Sequence, residues 1–316
     1  MKTLHSFLKL VEIRTKVASI LPLTMGTLLA IYLYDSFNLN NFLLMFFSLI
    51  SIDLATTGFN HYFDYKRAIL KSGYHYQHHN PISAGEISDQ KSLWLLMGLV
   101  VVGGFAGIAL AFRTDIIVLG LGMLSFAVGM SYSTGPLPIS RTILGEFFSG
   151  TFMGGLIPFI AFYIHVPKGQ LWNFAIEGFS LTIAMEIEPF VTVILSSMPL
   201  VFLIANIMLA NNICDTEEDL VNLRYTLPVS IGIKRSLILY QGLVIAAYLT
   251  VVLGVFVSYL PLASGLILLT IPVVLKQTRA FVKSPQKSTT FKLAVKNFLV
   301  FTVTSIIAIG VAILLN

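Results

Sequence analysis

Apolar residues run along this chain for about twenty positions at a time, and the pattern repeats about nine times. The runs lie at roughly 16–34, 41–59, 93–112, 116–133, 143–165, 189–211, 236–257, 259–276 and 294–315. Polar residues do not stripe the runs at a helical period; they gather between them. A helix needs about 20 such residues to cross a bilayer. The pattern therefore predicts an all-α fold, a polytopic transmembrane helix bundle of about nine spans, as one membrane domain over residues 1–316. Ser258 to Pro261 reads as a tight turn between the seventh and eighth runs. The run 170–188, with Glu177, Glu186 and Glu188, reads as a peripheral amphipathic helix or a loop.

Composition agrees. Hydrophobic residues make up 56% of the 316 and charged residues 11%, where soluble domains carry about 25% charge. The single cysteine, Cys214, excludes an internal disulfide and a multi-cysteine zinc site. The first 16 residues are mixed, carry Lys2, Lys9, Arg14 and Lys16, and show no cleavable signal-peptide pattern. With nine spans, the amino terminus shares a side with the loops after spans two, four, six and eight. Of 20 Lys and Arg residues, all but Arg113 and Lys168 fall on that side, which marks it as cytoplasmic in a multi-pass protein of the cell membrane. The net charge of +5 then reflects bases beside anionic membrane lipid and calls for no nucleic acid.

The polar residues that interrupt this plan are on the same side. Asn211, Asp215 and Asp219 recur at intervals of four where the sixth run ends, which on a helix puts them on one face. An amide and two carboxylates are hard oxygen ligands suited to Mg²⁺. Four of the chain's 15 acids fall within Asp215–Asp219. Acids at a helix carboxyl end are unfavourable unless a cation compensates them. Glu217 and Glu218 point off the shared face and read as solvated. A shorter copy, Asn60 and Asp64, ends the second run. Lys66 and Arg67 follow it, so a metal ligand stands beside phosphate-binding cations. Four residues on is Ala68, so this copy has no third ligand. The loops from these motifs, about 60–92 and 212–235, are long for a bundle, which places chemistry on that face.

Other residues have a plain and a chemical reading. Arg224 is a membrane-edge anchor or a diphosphate ligand. His75, His78 and His79 suit hydrogen bonding in a loop better than zinc, because no second Cys/His cluster exists. Tyr132 to Pro136, with Pro138, ends the fourth run with helix breakers. Arg14, Glu146 and Asp53 are ionisable residues near or inside spans, and such burial marks candidates for function. Asp53 has no evident partner in the sequence.

Taken together, these residues resemble the UbiA superfamily of intramembrane aromatic prenyltransferases, and within it the 1,4-dihydroxy-2-naphthoate branch of menaquinone biosynthesis. The matching segments are Val11-Glu-Ile-Arg-Thr-Lys16, Asn60-x-Tyr-Phe-Asp-Tyr-Lys66, Tyr132-Ser-x-Gly-Pro136, Pro138-Ile-Ser-Arg-Thr142, Leu144-Gly-Glu146, and Ala210-Asn-Asn-Ile-x-Asp215 with Arg224-Tyr-Thr-Leu227. They cover about residues 10–235. The first motif departs from the family: His61 stands for an Asp, and Ala68 and Leu70 replace a Gly and an acid. Either Asp64 with Asn60 still holds Mg²⁺, or Lys66 takes over part of the neutralisation.

The resemblance implies an enzyme that moves a polyprenyl group from a polyprenyl diphosphate to an aromatic acceptor, 1,4-dihydroxy-2-naphthoate. The product would be demethylmenaquinone, with diphosphate and carbon dioxide released. Mg²⁺ would sit on Asn60, Asp64, Asn211, Asp215 and Asp219, with Lys66, Arg67 and Arg224 on the diphosphate. Arg14 would meet the acceptor's carboxylate, and Tyr132 and Glu146 would orient its ring. The alternatives are a related transferase with another aromatic acceptor, and a transporter or lipid-binding protein without chemistry. Prenyl length and oligomeric state are not encoded in these motifs.

Overall fold

The computed structural model describes residues 2–67, 80–177 and 179–315. His75, His78 and His79, with Ala68 and Leu70, lie outside the described residues. An amphipathic helix, α1 (Lys2–Leu10), leads through a tight turn at Ile13–Lys16 into α2 (Val17–Tyr34). Then come α3 (Leu39–Arg67), α4 (Asp89–Arg113), α5 (Ile116–Ser133) and α6 (Gly145–Tyr163). After a hairpin follow α7 (Ile187–Cys214), the short α8 (Thr216–Val221) and α9 (Leu227–Ile231), and α10 (Ile233–Phe256). The chain closes with α11 (Leu262–Lys283) and α12 (Phe291–Leu315). Among the described residues, nine helices are long and apolar enough to cross a membrane, each overlapping a predicted run.

Two expectations change. Residues 170–186 do not form a helix, and 187–188 already belong to α7. Trp172–Glu177 (β1) and Ser180–Met185 (β2) pair antiparallel, with Trp172 opposite Met185 and Glu177 opposite Ser180. The segment is rich in β-branched and aromatic residues, and at six residues per strand it suits a hairpin better than a helix. The second span also does not give way to a loop at Asn60: α3 continues to Arg67. The motif therefore sits on the last two turns of a rigid helix. The seventh and eighth spans turn where expected, with Ser258 at φ 63° and the amides of Tyr259 and Leu260 both on the Gly254 carbonyl.

α7 is the central helix. Leu200, Leu203 and Leu209 on it are buried, as are Phe162, Phe298 and Phe301 of its neighbours. Small residues let backbones touch, as usual in membrane bundles. A Cβ on Gly154 of α6 would lie 2.4 Å from the Val201 nitrogen of α7, and one on Gly26 of α2 would lie 2.1 Å from the Pro158 carbonyl oxygen. The outward faces carry Phe105, Leu249 and Leu269 exposed, an apolar surface that suits lipid and not water.

Asp53 acquires a partner. Its Oδ1 is 2.8 Å from Lys16 Nζ, and Oδ2 accepts from Ser19 Oγ at 2.6 Å. Lys16 also donates to Thr57 Oγ1 at 2.6 Å. Lys16 is buried and the Asp53 side chain is 13% exposed, and the pair ties the start of α2 to α3. Removing one member of a buried pair strands the other charge. Asp53→Ala is therefore expected to cost about 3–5 kcal/mol, read as a large fall in the midpoint of detergent-solubilised thermal unfolding. The double change Lys16→Met, Asp53→Leu is expected to recover most of it.

Candidate active site

The carboxyl end of α7 sets the site. Its helical ladder reaches Asp215, whose N–H bonds the Asn211 carbonyl at 3.1 Å. Asp215 leaves helical geometry, and α8 starts at once, with the Asp219 N–H on the Asp215 carbonyl at 2.8 Å. α8 ends in a Schellman turn. Leu223 adopts φ 54°, its N–H bonds the Leu220 carbonyl at 3.2 Å, and the Arg224 N–H bonds the Asp219 carbonyl at 2.8 Å. A leucine in this left-handed region costs about 1–2 kcal/mol. The turn folds Arg224 back over the acids.

Arg224 is the hub. Its Nε lies 3.2 Å from Asp219 Oδ1 and its Nη1 lies 3.6 Å from Asp64 Oδ2. One guanidinium thus joins the tip of α3 to α8. A second Nη contact, 3.3 Å, goes to the Ser140 carbonyl of the loop after α5. Asp64 Oδ1 also faces Arg141 Nη2 at 3.8 Å. Asp219 is buried, and Thr226 Oγ1 donates to its Oδ2 at 3.0 Å. Burial raises the Asp219 carboxyl above its ordinary range, although the Arg224 charge and the Thr226 hydroxyl pull the other way.

Asn211 and Asp215 converge on a different cation. Lys287 Nζ, from the turn between α11 and α12, is 2.5 Å from both Asn211 Oδ1 and Asp215 Oδ2. The Asn211 amide nitrogen itself donates to Asp215 Oδ2 at 3.2 Å. Among the described residues, no three His, Cys, Asp or Glu side chains gather as a metal cage. Basic side chains stand between the acids instead. The Asn211–Asp215 oxygen pair fits a cation, because an ammonium already sits on it.

The remaining expected residues divide. Asn60 Oδ1 accepts from Ser133 Oγ at 3.3 Å. Arg67 donates to the carbonyls of Ser133 and Gly135 at 3.1 and 2.8 Å, holding the α5 end against α3. Lys66 is not brought in: its Nζ is 2.6 Å from Asp89 at the start of α4. Glu146 is buried beside the hub, and Tyr132 is half-buried with its hydroxyl shielded. Glu146 Oε1 accepts from Asn212 Nδ2 at 2.9 Å, while among the described residues Glu146 Oε2, Asn212 Oδ1 and the Tyr132 hydroxyl have no partner. Arg14 lies in the turn at Ile13–Lys16, and its side chain is outside the described set. Glu217 is exposed, as expected, whereas Glu218, expected to be solvated too, is half-buried.

Three contributors were not foreseen. Arg141 lay within a family-like segment but had no assigned role. Lys287 looked like any membrane-edge lysine. Glu12, in left-handed geometry at φ 46°, brings Oε1 within 3.0 Å of His61 Nε2. A carboxylate from another segment therefore faces the position where the family carries its Asp. Burial raises the Glu12 carboxyl, and the His61 contact with the charges of Lys16 and Lys287 brings it below its ordinary value.

Fold and site define the class, an integral membrane enzyme whose charged groups gather at one end of a lipid-facing helix bundle. The family model described as the UbiA prenyltransferase family matches residues 19–311. The chain is 31% identical over 238 residues to the 1,4-dihydroxy-2-naphthoate octaprenyltransferase of Bacillus subtilis (strain 168), covering 75% of this chain and 70% of that one. Two solved structures share the fold. A UbiA homolog from Archaeoglobus fulgidus bound to GPP and Mg²⁺ superposes with TM-score 0.65 at 15% identity, over 98% of this chain and 99% of that one. An apo UbiA homolog from Aeropyrum pernix K1 gives TM-score 0.64 at 17% identity, over 96% and 98%. The chain belongs to the UbiA prenyltransferase family, and it is a prenyltransferase.

Proposed function

We infer that the chain transfers a polyprenyl group from polyprenyl diphosphate to 1,4-dihydroxy-2-naphthoate, at a pocket on the cytoplasmic side of the cell membrane, with its amino terminus on that side. The observation that carries this reading is the Arg224 bridge between Asp64 and Asp219, which brings the ends of the two motif-bearing helices to one place. The naphthoate-acting relative supports the acceptor. Transport is disfavoured because the residues of the two Asn/Asp motifs and their basic partners collect at one end of the bundle and not at mid-membrane.

The residues divide the work. Arg224 and Arg141 present guanidinium groups to diphosphate oxygens, in the fork geometry that suits phosphate. Asn211 and Asp215, with Asp64, Asp219 and Asn60 nearby, would hold Mg²⁺. Bound there, Mg²⁺ supplies Lewis-acid neutralisation of the leaving diphosphate. The allylic carbon–oxygen bond breaks with its electron pair going to the diphosphate. The ring carbon bearing the acceptor's carboxylate forms the new bond to the prenyl C1. That carboxylate then leaves as carbon dioxide, and its bonding pair restores the ring. The product is demethylmenaquinone in its reduced form. Glu146 Oε2 is a buried acceptor lacking a donor, so it can take a ring hydroxyl, and the Tyr132 hydroxyl can bond beside it. Arg14 is the candidate for the acceptor's carboxylate. Arg67 adds positive charge at the rim, whereas the Lys66 charge is paired with Asp89.

Two tests follow. Membranes carrying the protein are expected to prenylate dihydroxynaphthoate in the presence of Mg²⁺, and Asp215→Ala to lose roughly 10²-fold or more in rate. Equal rates would remove Asp215 from the site, and product formed only with 4-hydroxybenzoate would change the acceptor. Lys287 and a divalent ion compete for the same oxygens. Lys287→Met is therefore expected to lower the Mg²⁺ concentration at which the purified protein gains thermal stability. An unchanged Mg²⁺ midpoint would contradict the competition.

A further inference from the structure

At the end of the bundle opposite Asp64 and Asp215, a cavity of about 350 Å³ opens among helix ends and the loop leading to the hairpin. Its walls come from the turn between α2 and α3, the turn between α4 and α5, and residues 163–172. These are the parts of the chain that reach the membrane boundary on that side. Arg113 and Lys168 both line it. They are the two bases that the sequence distribution set apart from the other 18 of 20. Fifty-five positions apart in the chain, they meet at one cavity.

Neither base is neutralised. Arg113 Nε donates to Asn41 Oδ1 at 3.2 Å. Among the described residues, neither its terminal nitrogens nor Lys168 Nζ has an acidic partner. The one carboxylate in the lining, Asp115, is already committed. Its Oδ1 caps α5 through the Ile117 and Val118 amides at 2.9 and 3.2 Å. Its Oδ2 accepts from the Tyr163 hydroxyl, which in turn accepts from Trp172 Nε1 at 3.0 Å.

A buried donor sits in the same wall. His165 is 3% exposed. Its Nδ1 accepts the Asn38 N–H at 3.0 Å, so the proton is on Nε2, and among the described residues Nε2 has no partner. Burial pushes the imidazole down to about 4, so it remains a neutral N–H donor rather than a third cation. Two charges of one sign, a satisfied acid and an orphan N–H make a donor-rich anion site. Tyr163 and Trp172, in contact with ring centroids 4.8 Å apart and planes tilted by 38°, are aromatics of the kind found at headgroup depth.

We propose that this cavity binds a phosphate group at the membrane boundary, that of an anionic phospholipid headgroup in the adjoining leaflet. Arg113 and Lys168 take the phosphate oxygens. With Asp115 already satisfied inside the protein, no free carboxylate in the lining pairs with a choline cation, and Arg113 and Lys168 leave the site net positive, so a net-negative lipid is preferred to a zwitterionic one. A soluble phosphate offers the same oxygens, so the test separates the two.

The full chain is purified in uncharged detergent. Thermal unfolding is followed at fixed ionic strength with phosphatidylglycerol, phosphatidylcholine or inorganic phosphate added. Phosphatidylglycerol is expected to raise the midpoint by about 3 °C or more, with at least half of that shift lost in Lys168→Gln and in Arg113→Gln. Lys168 has no described partner and is exposed, so its variant folds even if the Arg113 variant does not. Lys234→Gln, at the other end, is expected to keep the whole shift. A Lys168-dependent shift with inorganic phosphate upholds the phosphate site and assigns it to a soluble ligand. Equal shifts in wild type and Lys168→Gln, equal effects of the two lipids, or no shift with any of the three would overturn the proposal.

Discussion

The structure of the site depends on one guanidinium. Arg224 lies between a carboxylate on α3 and another on α8, at 3.6 and 3.2 Å. Without it, Asp219, buried to 2% exposure, would face Asp64 and Asp215 with only a hydroxyl to bond. Like charges at such range in a poorly solvated place repel strongly. The Schellman turn exists at some conformational cost because it delivers this cation. Arg141 and Lys287 extend the same logic outward. Each places a positive side chain against an acid that the apolar bundle cannot solvate.

Under the proposed function, that arrangement is one prepared for a polyanion. Acids held by arginine and lysine exchange partners readily when phosphate oxygens and divalent ions arrive together, since both sets of charges remain compensated. The reduced first motif is less anomalous in this light. His61 meets Glu12, and Asp64 meets two arginines, so charge balance there is set by segments distant in sequence. Glu146 Oε2 and the Tyr132 hydroxyl, unpartnered among the described residues, are where the proposed function puts the aromatic acceptor.

Much of this was legible in the residues. The apolar runs located all nine crossing helices, because span length is imposed by the bilayer and leaves its mark on composition. The four-residue spacing of Asn211, Asp215 and Asp219 survived as a helical ladder with a break at Asp215. What was not legible depended on long-range contact. Lys16 was in plain view, yet its pairing with Asp53, 37 positions away, needs two helices side by side. Lys287 resembled every other edge lysine, since no local pattern shows that the last interhelical turn folds over α7. Lys66 misled for the opposite reason: its neighbour in sequence was Asp64, while Asp89 lay closer in space. The hairpin at 172–185 was hidden by three acids that suggested a helix face.

The central claim is that Asp64 and Asp219 serve one ligand through Arg224. A double-mutant cycle tests it most directly. Binding of a non-reactive prenyl diphosphate analogue with Mg²⁺ would be measured for wild type, Asp64→Asn, Asp219→Asn and the pair. Shared service of one diphosphate predicts a coupling energy of about 1 kcal/mol or more between the two changes. Strictly additive losses would mean that the two helix tips act at separate places and would contradict the account.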